Sequence, residues 1–388
     1  MKSPKARFVG AILAVPALAA ASCGGTSAGA SNGGGKTVKI GVVLSTSGNG
    51  AVFGVDQRNG VNLAVKMINA GGGINGRLIS VDFRDSAYDK TQAQAIFAKM
   101  APDNSIVGII GPTSSAEAFA ADPLAVSAKL PVLAISNGSA GVPQIGKYVH
   151  RVGVPEPMLL PGVAKAVVAR DHITSAAVMY ASNDPFALTG YQAFSKTLKD
   201  AGVKITDVVP YDSDKTVNFT PQLQTIKGHH PQALFVAAKS NEGAVILRQA
   251  KQTGLSIPLV GNLSFTSTAL LQAAGSAANG LIVGATWSAS DTSALNQQFV
   301  AQYQQAYDKP ATPLAATAFN AVYVIKQALS SATTDSRASL EQGLEQMPGY
   351  HFIGSAVDFV SVGNGLRDAA TADPVLLQAK DGKLVPLG

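Results

Sequence analysis

The amino-acid sequence predicts an α/β fold with two doubly wound lobes built on parallel sheets. The chain has 388 residues, whereas one ordinary domain has roughly 100–200. Apolar residues make up 46% of it and charged residues 14%, a balance typical of a well-packed globular protein. From Thr37 onward, apolar β-type runs alternate with longer segments of helical period, and this rhythm occurs twice.

The alternation sets the expected order of strands and helices. In the first half we expect strands at 38–44, 78–84, 106–110 and 131–135, with helices at 54–70, 90–101 and 115–128. In the second half we expect strands at 174–181, 204–211, 233–238, 257–261 and 280–286, with helices at 187–201, 218–227, 242–253 and 267–275. Helices at 293–307, 313–331 and 337–346 follow, and then short strands and turns over 352–387. Pro155 and Pro157 interrupt the alternation, so 151–157 is the expected crossing between the lobes.

The charge pattern argues against a nucleic-acid partner. The formal charge of +6 includes Lys2, Lys5 and Arg7 of the leading segment, and the other 27 basic residues exceed the 24 acidic ones by three. These charges are spread along the chain without a Lys/Arg run, so we expect no nucleic-acid footprint.

Residues 1–22 are typical of an export signal, with a basic start, an apolar stretch broken by Pro16 and a run of small residues. The apolar stretch is shorter than the roughly 20 residues that span a bilayer. Cys23, the one cysteine of the chain, follows directly, and its placement resembles the lipobox of bacterial lipoproteins, in which the thiol takes the lipid. Ala20 replaces the usual aliphatic residue, and an ordinary cleaved signal with an incidental cysteine is the alternative. The Gly- and Ser-rich segment 23–36 is expected to be a flexible tether.

The two β/α halves place the expected ligand site at the carboxyl ends of the strands, in the cleft between the lobes. The loops that follow strands would line it, and they are 45–53, 111–115, 136–139, 181–186, 238–242, 261–265 and 286–288. These loops are rich in Ser, Thr, Asn and Gly and hold few charges. Such a cleft suits a small polar or amphiphilic molecule held by hydrogen bonds, so we expect neither a metal ion nor a cofactor.

Several runs of residues carry a family resemblance. They include Ile40-Gly41-Val42-Val43, Ser47-Gly48, Phe53-Gly54, Ile68-Asn69-Ala70-Gly71-Gly72-Gly73-Ile74-Asn75-Gly76-Arg77, Ile109-Ile110-Gly111-Pro112-Thr113-Ser114-Ser115 and Leu130-Pro131-Val132-Leu133-Ala134-Ile135-Ser136. In order and spacing the chain resembles the branched-chain amino-acid-binding proteins, the type I periplasmic substrate-binding components of ABC importers. The resemblance implies a periplasmic-binding-protein-like fold whose lobes are joined by a three-crossing hinge. It also implies lobe 1 at 37–152 plus 288–350 and lobe 2 at 153–287 plus 351–388.

The resemblance implies that several hydroxyl and amide groups of lobe 1 bind the ligand. Ser115 occupies the place where the family's serine binds the ligand carboxylate, and a helix N-cap at Ser115 or Ser114 is the alternative. The loop with Asn137, Gly138 and Ser139 matches the one that holds the amino-acid head.

Three further candidates follow from the same resemblance. Ser47 lies in the loop after the first strand. Phe53 falls where an aromatic side chain commonly lies over the ligand, and Phe186 falls where the second lobe often offers Tyr. Core packing is the alternative for both phenylalanines.

One departure from the family pattern concerns the ligand's ammonium group. Amino-acid binders place a carboxylate where this chain has Leu263, and an unpaired buried cation costs several kcal/mol. Glu242 or Asp184 could supply the missing charge, and helix N-terminal turns are the alternative for both. Lys239 and Trp287 instead suit a carboxylate without an ammonium, or an aromatic acid, unless Lys239 is a solvated loop charge.

The predicted function is that of a lipid-anchored solute-binding protein of an ABC importer, without enzymatic activity. We expect a monomer at the extracytoplasmic face of the cell membrane that passes an amino acid or a related carboxylate or amide to a permease and its ATPase. A ligand-sensing receptor module with the same fold is the alternative. An exported nucleotide-cofactor-dependent enzyme is a distant one, because Gly48-Asn49-Gly50 follows a strand but Phe53 stands where a third small residue is needed.

Overall fold

The computed structural model describes residues 37–371 and 373–387. The predicted export signal at 1–22, Cys23 and the tether at 23–36 therefore lie outside the described residues. Within the described part, helices and parallel strands form two α/β lobes, which confirms the predicted fold class.

The first lobe is built on a parallel five-stranded sheet. Its strands are β1 (Val38–Leu44), β2 (Ile79–Asp85), β3 (Ile106–Ile110), β4 (Val132–Ala134) and β5 (Val149–Arg151), in the order β2-β1-β3-β4-β5. The helices between them are α1 (Ala51–Ala70), α2 (Lys90–Met100) and α3 (Ser115–Ser127). Strand β3 is buried along its whole length, because helices cover both faces of a doubly wound sheet.

The second lobe repeats this arrangement. Its parallel strands are β6 (Ser175–Ala181), β7 (Lys204–Tyr211), β8 (Ala233–Ala237), β9 (Leu259–Gly261) and β10 (Ile282–Ala285), in the order β7-β6-β8-β9-β10. Its helices are α4 (Glu156–Asp171), α5 (Pro185–Asp200), α6 (Thr220–Gly228), α7 (Ser240–Gln252) and α8 (Thr268–Ala274). If the parallel strands of each lobe are numbered from its first strand, both sheets thus have the order 2-1-3-4-5.

The remaining chain returns to lobe 1 and then to lobe 2. Helices α9 (Ala294–Tyr307), α10 (Pro313–Ala328) and α11 (Arg337–Gln346) come first, and α10 packs along α1. Strands β11 (Gly349–Tyr350), β12 (Val357–Gly363) and β13 (Leu366–Ala370) form a small antiparallel sheet that contacts β5. Strands β14 (Val375–Lys380) and β15 (Lys383–Pro386) form an antiparallel hairpin that extends the second sheet beyond β10.

The chain therefore crosses between the lobes three times: after β5, after β10 and between β13 and β14. This confirms the predicted three-crossing hinge. The division of the tail between the lobes at residues 350 and 351 stays a prediction. In the structure, strand pairing divides the tail later, between Ala370 and Val375.

Strand β5 and helix α4 are elements that the sequence analysis did not predict. Strand β5 has three residues, too few to show a period. Helix α4 begins at Glu156 with Pro157 in its first turn, where a missing N–H is tolerated, so the prolines that suggested a simple crossing open a helix instead. The crossing itself is therefore confined to the few residues between Arg151 and Glu156.

A buried ion pair fixes lobe 1 next to this crossing. The guanidinium of Arg151 donates through Nε to Asp368 Oδ1 at 2.6 Å and through a second nitrogen to Oδ2. A third guanidinium nitrogen donates to the carbonyl oxygens of Asn137 and Ser139, each at 2.7 Å. Arg151 and Asp368 are 3% and 5% exposed, so both charges are desolvated and depend on each other.

We expect Arg151→Met to lower the free energy of unfolding by about 3–5 kcal/mol, because it leaves a buried carboxylate without its counter-charge and two carbonyls without a donor. Urea denaturation followed by circular dichroism measures this. Arg151→Met/Asp368→Leu should recover part of the loss, and Lys196→Met, which breaks an exposed pair with Asp200, should cost less than about 1 kcal/mol. An Arg151→Met cost no larger than that of Lys196→Met would contradict this account.

Candidate ligand-binding site

The shared strand order places the candidate site. In lobe 1 the order reverses between β1 and β3, and in lobe 2 it reverses between β6 and β8. Ligands of open α/β sheets bind at such switch points, outside the carboxyl ends of the strands. The loops after these strands begin at Ser45, Gly111, Ser182 and Ala238, so both lobes direct their switch-point loops into one cleft.

A cavity of about 470 Å³, part of it open to solvent, lies between the lobes. Lobe 1 and the start of α10 contribute Phe53, Tyr88, Thr113, Ser114, Ser115, Ala116, Ser136 and Leu314. Lobe 2 contributes Asp184, Phe186, Lys239, Leu263 and Ser264. The sequence analysis predicted seven of these residues, namely Phe53, Ser114, Ser115, Asp184, Phe186, Lys239 and Leu263.

The N-terminus of α3 forms a polar wall of the cavity. Ser114 is the N-cap: its hydroxyl accepts from the Glu117 backbone N–H at 3.2 Å, and the Glu117 carboxylate accepts from the Ser114 N–H at 2.8 Å. Of the two serines that were candidates for the N-cap of α3, Ser114 is therefore the one that caps it. Ser115 follows in the first turn, where its hydroxyl accepts from the Ser139 N–H at 3.2 Å. In the described part of the chain no acceptor takes the Ser115 hydroxyl hydrogen, so it can be donated to a ligand.

Buried side chains hold this wall in place. Gln57 of α1 donates through Nε2 to Ser136 Oγ at 2.6 Å and accepts from the Thr113 hydroxyl at 2.8 Å. Ser136 in turn donates to the Thr113 carbonyl at 2.6 Å. The Ser45 hydroxyl donates to Glu117, which locks the cap of α3. The hydroxyls of Thr113 and Ser136 are thus committed to the wall itself, unlike that of Ser115.

Aromatic side chains form the apolar walls. The rings of Phe53 and Tyr88 stack with centroids 6.4 Å apart and an interplanar angle of 13°. From lobe 2, Phe186 lies against Gly138 so closely that a Cβ on Gly138 would stand 2.7 Å from the Phe186 ring. Burial raises the pKa of the Tyr88 phenol well above its ordinary value, and the nearby charge of Asp184 acts in the same direction. Tyr88 therefore keeps its proton.

The charged groups of the cavity come from lobe 2. Lys239 Nζ lies 3.9 Å from Asp184 Oδ2 and donates to Ser213 Oγ at 2.7 Å. Asp184 also caps α5, accepting from the Ala187 N–H at 2.9 Å. Glu242 does not line the cavity: its carboxylate accepts from Ser213 Oγ, from the Tyr211 hydroxyl at 2.7 Å and from the Lys239 N–H at 3.3 Å. Glu242 thus supports the loop that carries Lys239.

A buried carboxyl that the sequence analysis missed lies behind Leu263. Glu156 Oε1 accepts from the Leu263 N–H at 3.1 Å, and Oε2 has no hydrogen-bond partner within residues 37–371 and 373–387. Burial raises the pKa of Glu156 from 4.5 to about 8, and the charge of Asp184 acts in the same direction. At neutral pH the group is therefore mostly protonated, which avoids a buried charge.

The other predicted residues do not line the cavity. Ser47 is exposed, and its N–H donates to Asp85 at 3.3 Å. Asn137 and Ser139 are buried behind the α3 wall, where Asn137 donates to the Ser114 carbonyl at 2.8 Å. Trp287 belongs to the core, because its indole N–H donates to Asn296 at 2.6 Å and its ring packs edge-on against Phe299.

Two features that the described residues lack bear on other kinds of site. Residues 37–371 and 373–387 contain no group of three or more His, Cys, Asp or Glu placed to hold a metal ion. No helix in those ranges has the length and hydropathy needed to cross a membrane.

Comparison with known proteins identifies related sequences and folds. Residues 37–376 match the family model of periplasmic binding proteins. The chain is 24% identical over 298 residues to the leucine-, isoleucine-, valine-, threonine- and alanine-binding protein of Pseudomonas aeruginosa, with 76% of this chain and 79% of that protein covered.

Two solved structures are similar in fold. The branched-chain amino acid transporter substrate-binding protein LivJ of Streptococcus pneumoniae, in complex with isoleucine, gives a TM-score of 0.82 at 21% identity, covering 90% of this chain and 100% of that chain. A solute-binding protein of an ABC transporter from Rhodopseudomonas palustris, in complex with 3,4-dihydroxybenzoic acid, gives a TM-score of 0.79 at 22% identity, covering 91% and 96%.

The Glu156 carboxyl makes stability depend on pH. Between its ordinary pKa of 4.5 and about 8, the folded chain holds a proton that the unfolded chain releases. The contribution of this group is fully present below the lower value and falls as pH rises, by at most about 1.4 kcal/mol per pH unit. In urea unfolding from about pH 5 to about pH 8, wild type should therefore lose stability relative to Glu156→Gln.

The control for this experiment is Glu345→Gln, which changes an exposed carboxylate. Its free energy of unfolding should stay at a nearly constant difference from wild type across the same pH range. The same flat difference for Glu156→Gln would show that Glu156 is ionised in the folded protein.

Proposed function

The chain belongs to the periplasmic binding protein family, and we propose that it is the solute-binding protein of an ABC importer. It captures a small polar solute, an amino acid or a related carboxylate or amide, in the cleft between the lobes. It then delivers the solute to a membrane permease and its ATPase as a monomer. Binding involves no chemical conversion of the solute.

The observation that carries this proposal is the α3 wall facing the inter-lobe cavity. Backbone N–H groups at a helix N-terminus favour an anion, and here Ser115 adds a hydroxyl with a free hydrogen. The supporting groups Gln57 and Glu117 are already bonded to the wall, so a carboxylate meets donors that need little rearrangement.

Contacts across the cleft support capture by closure of the lobes. The Ala140 N–H of lobe 1 donates to Thr189 Oγ1 of α5 in lobe 2 at 3.2 Å, and Phe186 of α5 lies against Gly138. A ligand held between the lobes adds further contacts to both and so favours the closed state. The permease would recognise that state.

The similar proteins support a carboxylate as the common feature of the solute. The name of the Pseudomonas relative specifies aliphatic amino acids and threonine, and the Rhodopseudomonas structure holds an aromatic acid. All of these molecules carry a carboxylate. In this chain Leu263 lines the cavity where the resemblance leads one to expect an ammonium-pairing acid, which favours a solute other than a plain branched-chain amino acid.

We also propose that Cys23 anchors the chain at the extracytoplasmic face of the membrane. The support is the order of segments: an export signal at 1–22, one cysteine and a Gly- and Ser-rich tether before the folded part. A lipid on that thiol would hold the binding lobes near the permease while the tether lets them move.

Substitutions at two neighbouring serines distinguish ligand binding from helix capping. Ser115→Ala should raise the dissociation constant by about tenfold, because one hydrogen bond to a carboxylate is lost. It also removes the acceptor of the buried Ser139 N–H, so a modest fall in melting temperature should accompany the loss of affinity. Ser114→Ala should instead cost about 1 kcal/mol of stability, because the cap of α3 is lost.

Calorimetric titration with leucine, isoleucine, benzoate and 3,4-dihydroxybenzoate, together with thermal melts, checks both variants. The tightest binder of wild type is used for the comparison. A Ser115→Ala variant that melts earlier while binding as wild type does would assign this hydroxyl to folding alone.

Replacing Cys23 tests the anchor. Cys23→Ala should move the chain from the membrane fraction of cells to the soluble extracytoplasmic fraction, and labelled fatty acid should no longer be incorporated. Ser27→Ala in the same tether is the control and should stay with the membrane. Equal membrane retention of both variants would refute lipidation of the thiol.

A further inference from the structure

The lobe 2 wall of the cavity carries one cation and one anion side by side. Lys239 Nζ and Asp184 Oδ2 are 3.9 Å apart, too far for a hydrogen bond between them. Their side chains are 19% and 11% exposed, so both are largely desolvated yet reach the cavity. The pair therefore attracts electrostatically without using up its hydrogen-bonding capacity.

Each partner keeps unused bonding capacity. An ammonium has three donors, and in the described chain Lys239 spends one on Ser213 Oγ. Asp184 spends one oxygen on the cap of α5, while Oδ2 faces Lys239. Two N–H donors and one carboxylate oxygen thus remain available at one place on the wall.

The pair is held in position by its surroundings. Ser213, which accepts from Lys239, donates to Glu242, and Glu242 is itself held by the Tyr211 hydroxyl. The backbone N–H of Lys239 also donates to Glu242. On the other side Asp184 is fixed by its capping bond to α5. Such second-layer bonds are typical of a built binding site rather than of a solvated lysine.

The paired charges select the kind of group that fits between them. Asp184 would attract an ammonium group while Lys239 would repel it. A carboxylate would be attracted by Lys239 and repelled by Asp184. A neutral group that accepts from Lys239 and donates to Asp184 gains from both partners. Hydroxyl and primary amide groups have this property.

We propose that the solute is a carboxylate with a flat apolar body, whose far end carries a hydroxyl or primary amide bound between Lys239 and Asp184. The carboxylate lies at the N-terminus of α3, because this side of the cavity offers backbone N–H groups and the Ser115 hydroxyl, while the Glu117 carboxylate of the same turn is already bonded to Ser45 and Ser114. The body lies between the Phe53–Tyr88 stack and Phe186. This inference rests on the proposed function, since it names the solute of the same cleft.

The test compares solutes that differ at the far end, titrated calorimetrically into the purified full chain. They are benzoate, meta- and para-hydroxybenzoate, para-carbamoylbenzoate, para-aminomethylbenzoate and terephthalate, with leucine as a separate arm. At least one hydroxyl or amide compound should bind about tenfold or more tightly than benzoate, and the ammonium and second-carboxylate compounds should not.

Variants locate the effect on the wall. Lys239→Met should abolish the advantage of the hydroxyl or amide, so that this compound and benzoate bind the variant with equal affinity. Asp184→Asn keeps an N-cap side chain but presents an amide donor to the ligand, so it should also reduce the advantage. Lys215→Met, which removes an exposed charge from the neighbouring loop, is the control and should preserve it.

The possible results separate this inference from the proposed function. Equal binding of benzoate and its hydroxyl and amide relatives, or tightest binding of the ammonium or dicarboxylate compound, overturns the inference. So does tight leucine binding that Lys239→Met leaves unchanged, although the proposed function then stands. If neither leucine nor any benzoate binds wild type, the inference is overturned and the proposed function loses its support.

Discussion

The buried bond between Arg151 and Asp368 organises lobe 1 at the place where the site and the hinge meet. Arg151 ends β5 immediately before the first crossing, and Asp368 lies in β13 shortly before the third. The same guanidinium holds the carbonyls of residues 137 and 139, whose loop lies behind the α3 wall. One desolvated side chain therefore sets the position of the loop that supports the α3 wall relative to two of the three segments that lead into lobe 2. A solute that draws the lobes together would move lobe 2 relative to this fixed part of lobe 1.

The two walls of the cleft are built on different principles. On the lobe 1 side, Gln57, Thr113 and Ser136 bond to one another, and Glu117 accepts from Ser45 and Ser114. This wall is therefore held in place and offers mainly the hydroxyl of Ser115. On the lobe 2 side, two opposite charges stand close together without bonding directly. The lobe 1 wall can hold a ligand before closure. The lobe 2 wall adds its full interaction energy only when the ligand bonds to both Lys239 and Asp184. This division supports the proposed capture in one lobe followed by closure of the other.

The sequence predicts the fold well because buried parallel strands are short apolar runs between helical periods, and β1, β3, β6 and β8 are of this kind. It also predicts the cavity residues that follow these strands, since a strand end fixes where its loop lies. It does not predict Gln57 or Glu156, because a polar residue on a helix looks solvent-exposed until the packing partners are known. Trp287 does not line this cavity for a related reason: the acceptor of its indole N–H, Asn296, comes from a helix that only the tertiary structure brings near. Tyr88 follows an outer strand, β2, and reaches the cavity by stacking on Phe53.

The hairpin of β14 and β15 has a consequence for biogenesis. Because β14 pairs with β10, the edge of the second sheet stays uncovered until residues from 375 onward have emerged. Lobe 1 is likewise incomplete until α9 to α11 have been made, and these helices follow the parallel strands of lobe 2 in the chain. Each half therefore lacks part of its structure until most of the chain has been made. An interleaved chain of this kind stays incompletely folded through most of its synthesis, a state compatible with the export that we propose.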